Sequence, residues 1–336
     1  MRRAADVNEP FSAIRRTRFR SLFSMFQDII FTYDSISIID CTYLILIVIV
    51  PNENPSLIFS LRIYDMRKNA LPFLFAWFLI CAIAAPGTIY AADLQIERLT
   101  WAGVKLVSEN TTVFIDAVGK DLWDGNAPEG LVPVTADTDR RYALVSHVHN
   151  DHFDVDTLQE VLGDRGYVIC HESVATYIAS RGLKVIPVKT YSPVSRGGFL
   201  FTAVPAEDGL GEEQVSWVIS IDDKRFLHAG DTLWHGKWPL IGNQFGPFDA
   251  VFLPVNGARV LREPMPETPA VMTPSQAVDA AILLRAEILI PIHYGLNDPP
   301  YYQEVDSPIV TLAQEAERRN ISVRNLLPGE SISLND

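Results

Sequence analysis

The chain has 336 residues, 28 Lys/Arg against 41 Asp/Glu, a formal net charge of −13 and 48% hydrophobic residues. So acidic a balance repels a phosphate backbone and argues against a nucleic-acid partner. Of its three cysteines, Cys41, Cys81 and Cys170, only Cys170 lies beyond residue 91, so the C-terminal region folds without an internal disulfide.

The charge is unevenly spread. Residues 1–91 carry nine basic and seven acidic residues and no histidine, whereas residues 92–336 hold 19 basic and 34 acidic residues, a net of −15. Near the start, Arg15-Arg16-Thr-Arg18-Phe-Arg20 is basic, and residues 35–50 form an isoleucine-rich apolar run interrupted by Asp40. A more legible segment begins at Met66. Arg67 and Lys68 form a positive n-region, Leu71 to Ala85 is an apolar stretch, and small residues lead to Ala91-Ala92. This reads as a signal peptide over 66–91 cleaved near Ala91, which would export the remainder to the periplasm or the medium. The apolar run is shorter than the ~20 residues of a spanning helix; an uncut membrane anchor through 66–91 is the alternative. Because a signal works from an N-terminus, translation is expected to start at Met66. Residues 1–65 are then an unpacked extension or an over-extended reading frame, and any membrane contact comes only through the N-terminal segments.

From Leu94 the pattern is that of one folded domain over 92–336, a length ample for a substantial core. Leu94–Arg98, Lys105–Ser108 and Thr112–Asp116 read as short strands separated by turn residues, followed by a polar, Gly/Pro-containing loop from Ala117 to Arg141. Tyr142–Ser146 reads as a buried strand, and Asp154 caps a helix over 154–162. Tyr167–Cys170 is a predicted strand and Glu172–Ser180 a helix. Further strands are predicted at Phe199–Pro205, Val215–Ile221, Arg225–Ala229, Asp249–Leu253, Ile288–Ile292 and Ser322–Leu327, with helices at Pro274–Arg285 and Ile309–Arg319. Strands interleaved with helices in this way imply two packed sheets covered by helices, an α+β class.

The chemistry concentrates just after Ser146, in His147-Val-His149-Asn-Asp151-His152. Three imidazoles and a carboxylate within six residues, at a strand end where a loop can wrap them round a centre, point to a metal site. All seven histidines of the chain fall between His147 and His293. The spacing HxHxDH resembles the signature of the metallo-β-lactamase superfamily. Two later elements strengthen the resemblance: Phe226-Leu-His-Ala-Gly230-Asp231-Thr232, and Ile288-Leu-Ile-Pro-Ile292-His293-Tyr294-Gly295. It extends from about Leu94 to the C-terminus and includes Leu99-Thr-Trp-Ala-Gly103. Within the superfamily, the helix Met272–Ala281 followed by Pro-Ile-His-Tyr looks most like the branch of ascorbate-6-phosphate lactonase and N-acyl-phosphatidylethanolamine phospholipase D.

The resemblance implies a four-layer αββα sandwich with metals at one edge between the sheets. It implies that His147 and His149 serve one metal, that Asp151, His152 and His293 serve a second, and that Asp231 bridges them. The chain departs from the family at the third histidine of the first metal. No histidine exists between His171 and His228, and Val204-Pro-Ala-Glu207-Asp208-Gly209 stands at that place. Asp208 is the first candidate to substitute and Glu207 the second; the alternative is a solvated turn with a weak first site. The expected cofactor is one or two divalent ions, zinc first, with an oxygen ligand at Asp208 moving the preference towards manganese or iron.

The expected function is that of a metal-dependent hydrolase using a metal-bound hydroxide on an ester-type bond, a phosphodiester or lactone, of a small-molecule or lipid-like substrate. Asp151 is expected to hold the hydroxide. His235, four residues past Asp231, is expected to donate a proton from a pKa near ~6.5. His228 is read as orienting a ligand, His171 and Cys170 as structural, and Tyr294 either as a donor to the substrate or as an ordinary buried tyrosine. The alternatives are a β-lactamase-like amide hydrolase, and a non-catalytic binding protein with an incomplete metal site.

Overall fold

A computed structural model describes residues 43–50, 58–65, 94–119, 122, 131–260, 268–296 and 301–334. The signal-like segment 66–91 and the basic run at 15–20 lie outside the described residues. Before residue 90, β1 (Tyr43–Val50) pairs antiparallel with β2 (Ile58–Asp65), from Tyr43↔Asp65 to Val50↔Ile58. Among the described residues no helix is long and apolar enough to cross a membrane.

The second unit spans Tyr90–Asp336. Its first half runs β3 (Leu94–Arg98), β4 (Val104–Ser108), β5 (Thr111–Ile115), β6 (Arg140–Val145), α1 (Val155–Leu162), β7 (Tyr167–His171), α2 (Glu172–Ser180) and β8 (Val185–Val188). Then come β9 (Val194–Arg196), β10 (Phe199–Pro205), β11 (Val215–Ile221), β12 (Lys224–His228), α3 (Trp238–Phe245), β13 (Phe248–Pro254) and β14 (Arg259–Val260). The chain closes with α4 (Pro274–Leu284), β15 (Ala286–Ile292), β16 (Tyr302–Gln303), α5 (Pro308–Arg319), β17 (Ser322–Val323) and β18 (Ser331–Ser333).

Two seven-stranded sheets result, ordered β18-β3-β4-β5-β6-β7-β8 and β17-β15-β13-β12-β11-β10-β9. Inner strands such as β5, β11 and β13 are largely apolar on both sides because both faces are covered, whereas the edge strands β9, β17 and β18 are short and partly exposed. Along β12, Phe226 enters the core between the sheets while Leu227 faces the helices; along β15, Ile290 and Ile292 point inwards and Leu289 outwards. The central core joins Ile96, Leu106, Ile115 and Leu144 of one sheet to Phe201, Trp217, Phe226 and Phe252 of the other. One outer face packs on α1 and α2 through Phe114, Val145, Leu158 and Ile178. The other packs on α3, α4 and α5 through Leu253, Trp238, Val278 and Leu312. The αββα layering expected from the sequence is therefore the observed one.

Local signals account for most helix boundaries. Asp154 accepts the Thr157 amide at the start of α1, and Thr273 and Gln276 form a reciprocal capping box on α4 with Pro274 in the first turn. The expected strand over Ser322–Leu327 shrinks to Ser322–Val323, because beyond Val323 the chain leaves β15 and runs on without a ladder. The helix α3 and the short strands β8, β9, β14, β16 and β18 are additions to the sequence reading.

Topology also decides where chemistry can occur. β3, β5, β6, β10, β12 and β15 end at one edge of the sandwich, and the antiparallel β11 begins there. Three hydrogen bonds tie the sheets together at that edge: Val215 N–H to Ser146 O at 3.1 Å, His293 N–H to Trp101 O at 3.2 Å, and His228 Nε2–H to Ala102 O at 2.8 Å. Carboxyl ends of parallel strands are the usual ligand-binding edge of such sheets.

Candidate metal centre

Seven of the chemistry-bearing residues singled out in the sequence are delivered to this edge by loops that follow strands. β6 feeds His147, His149, Asp151 and His152; β10 feeds Asp208; β12 feeds Asp231; β15 feeds His293. The seven side chains converge. His147, His149, Asp208 and Asp231 offer ligand atoms all within 4.8 Å of one another, and so do His152, Asp231 and His293. Asp151 Oδ2 lies 3.6 Å from both His152 Nε2 and His293 Nε2. His147 also lies within the same reach of Asp151 and His152, so the two groups are contiguous.

Asp231 divides its oxygens between the groups. Oδ1 is 3.7 Å from His147 Nε2, whereas Oδ2 is 3.8 Å from both His152 Nε2 and His293 Nε2. Its place is fixed by Gly230, whose φ of +67° suits glycine and where a Cβ would meet Gln214 Nε2 at 2.6 Å. Gln214, just before β11, donates to Asp231 Oδ1 at 2.6 Å. His228 accepts the Gly230 amide at Nδ1, 3.2 Å away, and so braces the same turn rather than facing the cluster.

An outer layer aims the imidazoles. Asp116, fully buried after β5, accepts the Ser146 amide at 2.8 Å, the Ser146 hydroxyl at 2.6 Å and His152 Nδ1–H at 2.9 Å. With its own hydrogen given to Asp116, Ser146 Oγ accepts His147 Nδ1–H at 3.0 Å. Both His147 and His152 therefore turn an Nε2 lone pair inwards, the arrangement carboxylate-backed metal ligands adopt. His149 presents Nδ1 instead, 2.8 Å from His147 Nε2.

Electrostatics agree with a cation in the gap. Burial works against ionised Asp116, yet the His152 hydrogen bond and charge hold its pKa down to about 2. Burial also disfavours charged His152, but Asp151, Asp231 and Asp116 push it up to about 10. Against the same burial, the surrounding histidines keep the carboxyls of Asp151 and Asp231 below the usual carboxylate range. A divalent cation held by these residues would take the place of the His152 proton.

The fit of an ion can be tested on atoms. His152 Nε2 and both ring nitrogens of His293 are buried with no hydrogen-bond partner. Their 3.6–3.8 Å separations from the carboxylate oxygens are too long for hydrogen bonds. An ion with ligand bonds of about 2.0–2.2 Å spans such gaps, and four histidines with three aspartates are a donor set that divalent metals accept. The residues present fit the group.

At the position where the sequence lacks a histidine, Asp208 turns inwards. Its Oδ2 is 3.6 Å from His149 Nδ1 and 4.0 Å from His147 Nε2, while its Oδ1 accepts the amides of Leu210 and Glu212. Glu207 turns outwards to Lys237 Nζ at 3.4 Å.

His235 departs from expectation. It is 3% exposed, stacked on Trp238 with ring centroids 4.1 Å apart, and accepts the Lys237 amide at Nδ1. Burial lowers its pKa to about 4, so the expected proton donor near pH 6.5 is a neutral ring there. The reason is α3, absent from the sequence reading, whose buried Trp238 draws the preceding loop into the outer core. The turnover profile between pH 5.5 and 7.5 should carry no inflection from this residue. His235→Gln should leave the shape of that profile unchanged, and a lost inflection in the variant would restore its role as an acid.

Tyr294 also turns away from the centre: its hydroxyl donates to Asn325 Oδ1 at 2.6 Å and accepts from Arg98. His171 caps α2 through Ser173. Cys170 is buried, its thiol pushed up to about 12, and is inert at neutral pH. Asp116, Gln214 and Trp101 are the functional neighbours that sequence reasoning misses. Trp101 donates Nε1–H to Asp151 Oδ2 at 3.1 Å. The only local signal for Asp116 or Trp101 is its place at a strand end.

The family model described as Beta-lactamase superfamily domain matches residues 111–294. The chain is similar to a UPF0173 metal-dependent hydrolase of Thermus thermophilus, 29% identical over 250 residues, 72% of this chain and 99% of that protein. Its fold is shared with Igni18, a metallo hydrolase from Ignicoccus hospitalis, at a TM-score of 0.57 and 19% identity, covering 72% of this chain and 98% of that one. It is shared equally with CmlA, a diiron β-hydroxylase from Streptomyces venezuelae, at a TM-score of 0.57 and 17% identity over 72% of this chain and 54% of the other.

Proposed function

Since the chain belongs to the β-lactamase superfamily and is a metal-dependent hydrolase, we propose that it cleaves an ester-type bond, a phosphodiester or a lactone, at a centre of two divalent ions. The observation that carries the two-ion reading is Asp231, whose two oxygens face two separate groups of donors. His147, His149 and Asp208 would hold the first ion, Asp151, His152 and His293 the second, and Asp231 both. Ions so placed acidify water towards neutrality and stabilise charge that develops on the substrate. Asp151, with side-chain exposure of 14%, reaches the surface of the centre, so its carboxylate can accept a hydrogen bond from the attacking water and orient it.

The oxygen of Asp208, where the family pattern has an imidazole, favours harder ions at the first site, manganese or iron beside zinc. The ascorbate-6-phosphate lactonase and phospholipase D branch supplies the substrate classes, small or lipid-like esters, and the net charge of −13 disfavours a nucleic acid. A panel of nitrophenyl phosphodiesters, lactones and a chromogenic β-lactam tests the bond type. Turnover of either ester class and not of the lactam supports the reading; turnover of the lactam alone replaces it with amide hydrolysis.

Export follows from the segment at Met66, with residues 66–91 as the signal and an uncut anchor as the alternative. Expression from Met66 should give the same processed protein and the same activity as the full reading frame. A mature N-terminus before residue 66, read by mass spectrometry, would contradict both cleavage and the internal start; one at Met66 would contradict cleavage alone.

A further inference from the structure

One residue outside the donor set touches two of its members by three separate contacts. Trp101 donates its indole N–H to Asp151 Oδ2, packs against the His293 ring at 4.1 Å between centroids with the ring planes tilted by 45°, and accepts the His293 amide at its carbonyl. Both ends of that backbone bond are strained, since Trp101 has φ +60° and His293 φ +58°. Bulky residues hold the left-handed region only where their surroundings over-determine it, and such strain gathers at functional sites. The strain at Trp101 is built by the tight turn over 99–103, in which Leu99 N–H bonds Gly103 O and Gly103 N–H bonds Thr100 O. A Cβ on Gly103 would meet Leu99 Cβ at 2.9 Å, so the turn is closed by glycine.

The ring of His293 has no hydrogen bond to orient it. Its direction is set by packing, on Trp101 from one side and on His152 at 5.3 Å from the other. His152 in turn is anchored by Asp116. The second cluster thus has each of its three own donors held from outside.

The first cluster is looser at one member. His147 is held by Ser146 and Asp208 by the Leu210 and Glu212 amides, but His149 has a quarter of its side chain exposed, and its Nδ1 is engaged with His147 Nε2 at 2.8 Å, a hydrogen bond that an ion must break. Pre-organised sites bind more tightly because less ordering remains to be done on binding.

We infer that Trp101 is a positioning residue that pre-forms the Asp151–His152–His293 cluster, so that this cluster takes up a divalent ion before the His147–His149–Asp208 cluster does. The inference rests on the two-ion reading above and adds an order of loading and the residue that sets it.

The test is a titration of metal-free full-length protein with Co²⁺ alone, followed by visible absorption and by competition with a chelator. The wild type should load in two steps, the first tighter by about tenfold or more. Trp101→Phe should weaken the tight step by about 10–100-fold, the usual cost of losing an outer partner of a metal ligand, and spare the weak one. Asp208→Ala should keep the tight step and lose the weak one. If Trp101→Phe fails to fold by circular dichroism, β-(benzothienyl)alanine at position 101 removes the N–H and keeps the shape, and should still weaken the tight step. Unchanged stepwise constants in a folded variant, loss of the tight step in Asp208→Ala, or a single cooperative step in the wild type would each overturn the order of loading. Failure of the wild type to take up Co²⁺ would overturn the two-ion reading itself.

Discussion

Asp231→Ala should strip the centre of both its ions and of its activity. Metal content should fall from two ions per chain to below one, and kcat/KM by about 10³-fold or more, the several kcal/mol that bound ions contribute to a charged transition state. The magnitude follows from position. Asp231 is the one residue shared by the His147–His149–Asp208 and His152–His293 groups, with an oxygen turned to each. Without it four imidazoles face one another across ring separations of 4.3–5.3 Å with less anionic charge to draw a cation in. Glu207→Ala is the matched control: it removes a nearby carboxylate that points to Lys237, and should leave metal content and turnover unchanged. Elemental analysis beside steady-state kinetics checks both, and an Asp231→Ala protein that keeps two ions would refute the bridge.

Asp208 carries the second large effect. Asp208→Ala should leave one ion per chain and lower turnover by about 10²-fold or more, the scale of removing one charge-stabilising element from an active site. The fold should survive the substitution, because Oδ1 bonds only the amides of its own loop, Leu210 and Glu212, while the strand β10 before it is held on both sides. Asp208→His should restore two ions and shift the first site towards zinc, as imidazole suits zinc better than a carboxylate does. Unchanged stoichiometry in the alanine variant would return Asp208 to a turn residue.

Much of this was legible in the chain. Strands β10, β13 and β15 are mainly Val, Ile, Leu, Phe and Ala bounded by polar turns, and they stay strands because both of their faces are buried over most of their length. The HxHxDH run, Asp231 and His293 are legible for a similar reason: each follows such a strand, so topology alone brings them to one edge. What escapes the sequence is long-range or weakly signalled. Trp238–Phe245 has Pro239 in its first turn but a glycine inside it and no side-chain cap at Lys237, so the local signal for a helix is weak. That helix is what buries His235. The choice between Glu207 and Asp208 cannot be made from neighbours in sequence, since it depends on Thr232 and Leu233 pinning the Glu207 backbone from another strand end. Asp116, Gln214 and Trp101 act through partners 36, 17 and 50 residues away, a distance no spacing rule covers.

If seven side chains form one centre for two ions, the purified protein carries both. Elemental analysis of the purified, dialysed full-length protein measures that directly. Two equivalents of zinc, manganese or iron per chain, falling to one in Asp208→Ala and below one in Asp231→Ala, is the predicted result. A folded wild-type protein with no bound divalent metal, and none taken up on reconstitution, would contradict it.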